Sequence, residues 1–374
     1  MKGHIRPAGD GRWQLTFDIA PDPVTGLRRR RSRTVRGTRK AAEAQLRELI
    51  AEVEGSGWVD DGSMKVGELV EMWLQARRAQ NLQPTTLDGY AQKLTHVARH
   101  LGQRRLRSLT GGVLTAFYGR LSDDGLSGQS ILHVHRVTHK MLADATRWGY
   151  LRSNPAAAAD PPRADTAERP TWTALQSQTF LEAIRSHQLR AAWWLALGAG
   201  LRRAEVCGLT WDHVDLDEGV LLIRKTLVVV GGHDQWSTPK TTRSRRAVAI
   251  DEAVTRVLRE ERKRQLENRM ADPASWARSE GTVVAWPDGR RVHPDRMSKA
   301  HTREARRAGM DPYIGFHDLR HTYATLALAA GVPANVVKEL LGHSSVQLTL
   351  DRYTHKVDDL HREAAAAVGR MLAT

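Results

Sequence analysis

The chain has 374 residues, 41% hydrophobic and 26% charged, a globular composition with room for two or three domains rather than a disordered chain. A net charge of +15 favours a polyanionic partner, and the absence of any apolar run near the roughly 18 residues of a membrane span, of an apolar segment in the opening MKGHIRPAGD, and of a basic amphipathic helix or lipidation motif argues against membrane and export. The single cysteine, Cys207, cannot form an internal disulfide; it reads as a core residue in a chain kept in a reduced cytoplasm.

Residues 1–62 read as a small α+β unit. Arg12–Ile19 alternates polar and apolar, the pattern of a half-buried strand, and Asp22–Gly26 reads as a hairpin turn. The strand that follows is basic: Arg28, Arg29, Arg30, Arg31, Arg33, Arg36, Arg39 and Lys40 fall within thirteen residues with no acid among them. Thr38 is placed to cap a helix over Ala41–Glu54. A two- or three-stranded basic sheet braced by one helix can lie in a DNA major groove, and like charges at this density repel unless a counter-surface meets them. The alternative is a solvated charged strand. Gly55–Gly62 reads as a linker.

Residues 64–158 read as four helices with short joints, a compact bundle. Leu69, Val70, Trp73 and Leu74 share one face, Pro84 opens a second helix, Thr110 a third, and Ser127 a fourth that ends at Gly149. His133, Arg136 and Lys140 stud a polar face of the fourth, which is either an ordinary wet face or a DNA contact. Asn154–Arg169 is rich in Pro and Ala and reads as an interdomain linker. Residues 170–374 read as mainly helical with strands at Val220–Ile223, Leu227–Val230 and Arg246–Ile250.

Six positions in this last segment stand out. Arg202 sits where an apolar helix, Ala191–Ala199, ends and another begins, so that helix N–H groups and a guanidinium can both face an anion. Lys240 lies in a turn between strands, and His317 and Arg320, three apart, share a face at the start of a helix. His343 follows Leu341-Gly342 at the end of another helix, and Tyr353 comes ten residues later. His317 and His321 are four apart, which also suits a metal pair, but such a site needs a third ligand and usually a nearby carboxylate.

The strings GLRRAEVCGLTW, TPKTTRSRRAVAI, HDLRHTYATLALAAG and LGHSSVQLTLDRYTH, in this order and spacing over most of residues 195–356, closely resemble the tyrosine recombinase (phage integrase) family. By layout rather than motif, the first two segments resemble the family's arm-binding and core-binding domains. The resemblance implies a multidomain, mainly α fold with α+β parts. Residues 1–62 would be a small sheet-plus-helix arm-type DNA-binding domain, 64–158 a four-helix, SAM-like core-binding domain, and 170–374 a mixed α/β catalytic domain. It implies a catalytic set of Arg202, Lys240, His317, Arg320, His343 and the nucleophile Tyr353, with Glu205, Asp318 and His321 in support.

The chemistry explains those residue types. Transesterification at a phosphodiester places extra negative charge on two non-bridging oxygens, which forked and permanently charged arginines bind well. A tyrosine hydroxyl, with a pKa near ~10, needs a base and cationic surroundings to attack at neutral pH. His317 is the candidate base, Lys240 the candidate acid for the leaving 5′ oxygen, and His343 a hydrogen-bond donor to phosphate. The product is a 3′-phosphotyrosyl link, which conserves the bond energy, so no metal and no nucleotide cofactor is expected. The implied partners are double-stranded DNA with core-type and arm-type attachment sites and a homotetramer in the synaptic complex formed from monomers. An excisionase and a DNA-bending host factor complete the set, all in a bacterial cytoplasm. Transposon or plasmid/chromosome resolution by the same chemistry, a non-catalytic DNA-binding regulator and a metal-dependent nuclease are the alternatives; the basic first segment argues against a dimer resolvase, and no Asp/Glu constellation suggests two metals. Delivery of Tyr353 in cis or in trans, and docking of the Ala-rich tail 358–373 on its own domain or a neighbour, stay open.

Overall fold

The computed structural model describes residues 3–19, 29–56, 63–163, 170–238 and 245–342. Lys240, His343, Tyr353, Arg28, the turn at 22–26 and the tail therefore lie outside the described residues, as do the side chains of Arg29 and of 52–56. The chain divides into two compact units, 1–166 and 167–374.

The first unit opens with three antiparallel strands in the order β1-β2-β3: β1 (Gly3–Pro7), β2 (Arg12–Ile19) and β3 (Arg29–Arg36). The alternation in β2 works as expected: Leu15 and Phe17 are buried beneath α1 (Arg39–Ser56), together with Ala42 and Leu46. Thr38 Oγ1 accepts the Ala41 N–H at 3.3 Å and starts that helix. Gly55 and Ser56, read as the start of a linker, are helical, because α1 runs through Ser56; residues 57–62 lie outside the described residues.

The strand register divides the basic run between two faces. Phe17 pairs with Arg31 and Leu15 with Arg33, so these arginines share the face that α1 covers. Asp18 pairs with Arg30 and Arg12 with Arg36, on the opposite, open face. The strand also has a counter-charge that the run Arg28–Lys40 does not suggest: Asp18 takes the Arg30 guanidinium at 3.3 Å, and Glu43 takes Arg39 at 3.1 Å. Lys40 is exposed.

Four helices follow, α2 (Val66–Arg78), α3 (Pro84–Leu101), α4 (Gly111–Asp123) and α5 (Gly128–Arg147). Each start is local chemistry: Pro84 at the first turn of α3, the Thr110 side chain accepting the Val113 N–H, and the Ser127 side chain accepting the Ser130 N–H. Trp73, Leu94, Leu114, Phe117 and Met141 fill the core. A buried Asp144 on α5 accepts the Trp73 indole N–H at 2.7 Å and pairs with Arg77, which locks α5 to α2. His133, Arg136 and Lys140 are exposed along one side of α5, with Lys140 donating to the Tyr90 hydroxyl at 2.9 Å.

The reading of 154–169 as linker throughout is corrected at its start. Pro155–Ala158 is a 3₁₀ turn whose Ala156 is buried in the bundle. Asn154 donates to the His139 carbonyl at 3.0 Å, and a Cβ on Gly111 would collide with the Ala158 carbonyl. Proline is favoured at the first position of such a turn, so composition alone misplaces the boundary.

The second unit contains α6 (Ala174–Ala183), α7 (Arg190–Gly198) and α8 (Arg203–Gly208). Its strands are β4 (Val214–Asp215), β5 (Val220–Ile223), β6 (Thr226–Val230), β7 (His233–Ser237) and β8 (Arg246–Ala249). Helices α9 (Glu252–Ala271), α10 (Pro273–Trp276), α11 (Pro294–Arg307), α12 (Asp318–Ala329) and α13 (Ala334–Leu341) complete it. Among the described residues these strands form two sheets, β4-β5-β8 and the hairpin β6-β7, and β4 and β7 have no counterpart in the sequence reading. Helix α7 is apolar nearly all round and is the centre of the core. Cys207 is fully buried, and burial pushes its thiol up to about 12, so the core reading of that residue stands. No helix among the described residues is long and apolar enough to cross a membrane.

Candidate active site

The α7–α8 junction sets the geometry. Gly200 sits there at φ +63°, and a Cβ would lie 2.5 Å from the Tyr323 ring, so only glycine fits. The tight turn delivers Arg202 to the mouth of α8. Of the N–H groups at this helix start, that of Arg202 is taken from within: Glu205 folds back, and its Oε2 accepts it at 2.8 Å. With its own N–H taken, Arg202 has its guanidinium left to meet a ligand.

Glu205 is the hub. Its Oε1 accepts from Arg202 at 2.8 Å and from Arg246 at 2.9 Å, its Oε2 accepts from Arg246 at 3.1 Å, and Arg320 approaches Oε2 at 3.9 Å. Burial by itself would push the Glu205 carboxyl up. The hydrogen bonds and charge of Arg246, with Arg202 and Arg320 behind it, overcome this and hold it at about 2. The carboxylate therefore stays ionised across the neutral range and keeps three cations together that would otherwise repel.

The same three arginines reach the end of α13. Arg246 Nε donates to the Leu340 carbonyl at 2.7 Å, Arg320 donates to the Leu341 carbonyl, and Arg202 donates to the Gly342 carbonyl at 3.2 Å. Three consecutive carbonyls that a helix end leaves without partners are thus satisfied by three guanidinium groups. Gly342 ends the helix in the left-handed conformation at φ 61°, and the next residue is His343. Arg320 also donates to the Gly200 carbonyl at 2.6 Å and is buried, whereas the Arg202 side chain is 31% exposed.

His317 is exposed at the start of α12, one turn before Arg320, and stacks edge-on against the buried His321 at 5.4 Å. His321 thus supports the His317 ring rather than facing solvent. Asp318 accepts the Gly315 N–H at 3.0 Å and shapes the turn that leads into the helix. Behind that turn, His301 accepts the Trp193 indole N–H at Nδ1 (3.1 Å), so its Nε2 donates to the Ile314 carbonyl at 2.9 Å. Burial lowers the pKa of His301, and a neutral ring fits this bridge. Among the described residues, no group of three or more His, Cys, Asp or Glu is placed to hold a metal ion.

The structure thus brings together Arg202, Glu205, Arg320 and the carbonyls leading to His343, with His317 one helical turn away. It adds Arg246, which the sequence reading passes over. A signal for it existed: Arg246 and the buried Val248 share one face of β8, which turns Arg246 inward while its neighbour Arg245 stays exposed. Among the described residues, Tyr323 lies near the arginines, and burial lifts its phenol above its ordinary value against the pull of Arg246 and Arg320.

Residues 172–359 match the model of the phage integrase family. The chain is similar to a tyrosine recombinase XerC-like protein of Caldanaerobacter subterraneus subsp. tengcongensis, 28% identical over 86% of each chain. It is also similar to the ICEBs1 integrase of Bacillus subtilis, 24% identical over 98% of this chain and all of that one. In fold it is similar to the Tn1549 transposon integrase in complex with transposon right end DNA (TM-score 0.68, 22% identical, covering 83% of this chain and 100% of that one). A lambda integrase tetramer bound to a Holliday junction is a further neighbour (TM-score 0.59, 17% identical, 94% of each chain). With half its length inside the family model and the arginine–carboxylate cluster within that half, the chain belongs to the phage integrase family and is a tyrosine-type site-specific recombinase.

Proposed function

We propose that this recombinase integrates or excises a phage or other mobile element by cutting and rejoining DNA through Tyr353. Arg202 and Arg320 hold the non-bridging oxygens of the scissile phosphate, and His343 donates a further hydrogen bond. His317 takes the phenolic proton as the Tyr353 oxygen attacks phosphorus. The bond from phosphorus to the 5′ oxygen breaks, Lys240 protonates that leaving oxygen, and a 3′-phosphotyrosyl link remains. Attack by the 5′ hydroxyl of a second strand reverses the step and frees the tyrosine, so the reaction is isoenergetic and draws on no nucleotide.

One observation carries this reading: Arg202 and Arg320 converge on one buried carboxylate and on the carbonyls immediately before His343. Paired arginines supply forked, permanently charged donors of the kind a phosphate needs, and as cations they do not ligate a metal. The four-helix bundle, with its exposed His133, Arg136 and Lys140, would hold the core site together with the second unit. The open face of the three-stranded sheet, bearing Arg12, Arg30 and Arg36, would hold an arm site, with Arg31 and Arg33 at its flank. Assembly into a tetramer on DNA, recruitment of an excisionase and a bending factor, and action in the cytoplasm of a bacterial host complete the proposal.

The deciding experiment is Tyr353→Phe on a nicked suicide duplex carrying the core attachment sequence. The variant is expected to bind this DNA as the wild type does and to form no covalent adduct. An adduct trapped from the variant would refute the assignment.

A further inference from the structure

Resting on the strand-cleavage reading above, we propose that Arg246 is a positioning residue of the site, the pin that sets where Arg202 and Arg320 present their guanidinium groups. Its side chain is 7% exposed, and its guanidinium is turned to Glu205 and to the end of α13. It grips Glu205 with two nitrogens, at 2.9 Å and 3.1 Å, and the Leu340 carbonyl with the third, at 2.7 Å. Glu205 in turn sets Arg202 through Oε1 and the start of α8 through Oε2. Leu340 precedes the two carbonyls that receive Arg320 and Arg202.

Three properties suit Arg246 to this task. It is the first residue of β8 and pairs with Ile223 of β5, so a sheet fixes its backbone. It closes the segment that contains Lys240, so the strand anchoring that segment is the one that grips the end of α13. It also needs a planar fork: three acceptors in two directions suit a guanidinium and exceed what the single ammonium of lysine can meet. The position is therefore expected to reject lysine although charge is conserved.

The test compares full-length R246K with wild type on two nicked suicide duplexes of the core attachment sequence. One carries the natural scissile phosphate, the other a methylphosphonate in which a methyl group replaces one non-bridging oxygen and removes the charge. On phosphate, R246K is expected to bind within about threefold of wild type and to form covalent adduct about 10- to 100-fold more slowly, the scale of loss that a small misplacement of catalytic groups produces. On methylphosphonate the deficit should contract towards parity, because a neutral centre asks less of the arginines. A deficit of equal size on both substrates, or none on phosphate, overturns the proposal. Should R246K fail to bind DNA, E205Q, which weakens the same bridge and keeps Arg246, is expected to give the same contraction, and equal deficits there overturn it as well. Tyr353→Phe on both duplexes separates the two ideas: adduct from that variant defeats the cleavage reading, whereas its loss beside a fully active R246K defeats only the role of Arg246.

Discussion

Asp144 in the helical bundle and Glu205 in the second unit are both buried carboxylates gripped by arginine. Asp144 takes Trp73 and Arg77 from α2 and Arg147 from its own helix, so every partner belongs to one pair of helices in one core. Glu205 takes Arg202 from the start of α8 and Arg246 from β8, with Arg320 of α12 close by. Those arginines then span to three carbonyls at the end of α13. The first cluster joins neighbours that packing already holds together. The second gathers segments more than 100 residues apart, and each of them carries or adjoins a residue of the proposed chemistry. Burial and charge are common to both; what distinguishes a site from a strut is how many separate parts of the chain the carboxylate recruits.

The sharpest way to break this contrast is Arg320→Ala. Covalent adduct formation on the suicide duplex is expected to fall by about 10³-fold, on the order of 4 kcal/mol of transition-state stabilisation, with DNA binding retained. If folding and cleavage were lost together, Glu205 would be a strut of the same kind as Asp144. Next in size, Asp144→Ala leaves Arg77 without its buried partner and is expected to destabilise the bundle by about 3–5 kcal/mol in a denaturant titration. Cleavage by the folded fraction should change little; a cleavage defect at full stability would erase the distinction from the other side. The smallest effect belongs to Tyr323→Phe. Because burial holds the Tyr323 phenol in its protonated form, its loss should leave adduct formation within about threefold, or under roughly 1 kcal/mol. An abolished adduct would transfer the nucleophile's role to Tyr323.

Much of this was legible in the sequence where the cause is local. Thr110 and Ser127 announce helix starts, and Gly342 announces a helix end, because each acts on backbone groups within a few residues. The same holds for GLRRAE, whose spacing puts Glu205 one turn from Arg202. Pairing was not legible. The strand β1 (GHIRP) is short and carries no clean alternation, so only its ladder with β2 reveals it. For the basic run of β3, only the register shows that Arg31 and Arg33 go to one side and Arg30 and Arg36 to the other. Arg246 looked like one more charge in an Arg-rich stretch, since its burial is decided by Glu205 and Leu340, 41 and 94 residues away.

The end of α13 has a consequence for how DNA would enter. Its three carbonyls already occupy donors of Arg246, Arg320 and Arg202, so the resting site is a set of cations whose ligands are backbone oxygens and the Glu205 carboxylate. On the proposed reading, a phosphate arrives by ligand exchange: each donor of Arg202 or Arg320 that turns to a phosphate oxygen lets go of a carbonyl beside His343. Binding the scissile phosphate and loosening the end of α13 are then two sides of one equilibrium, and by linkage whatever favours one favours the other.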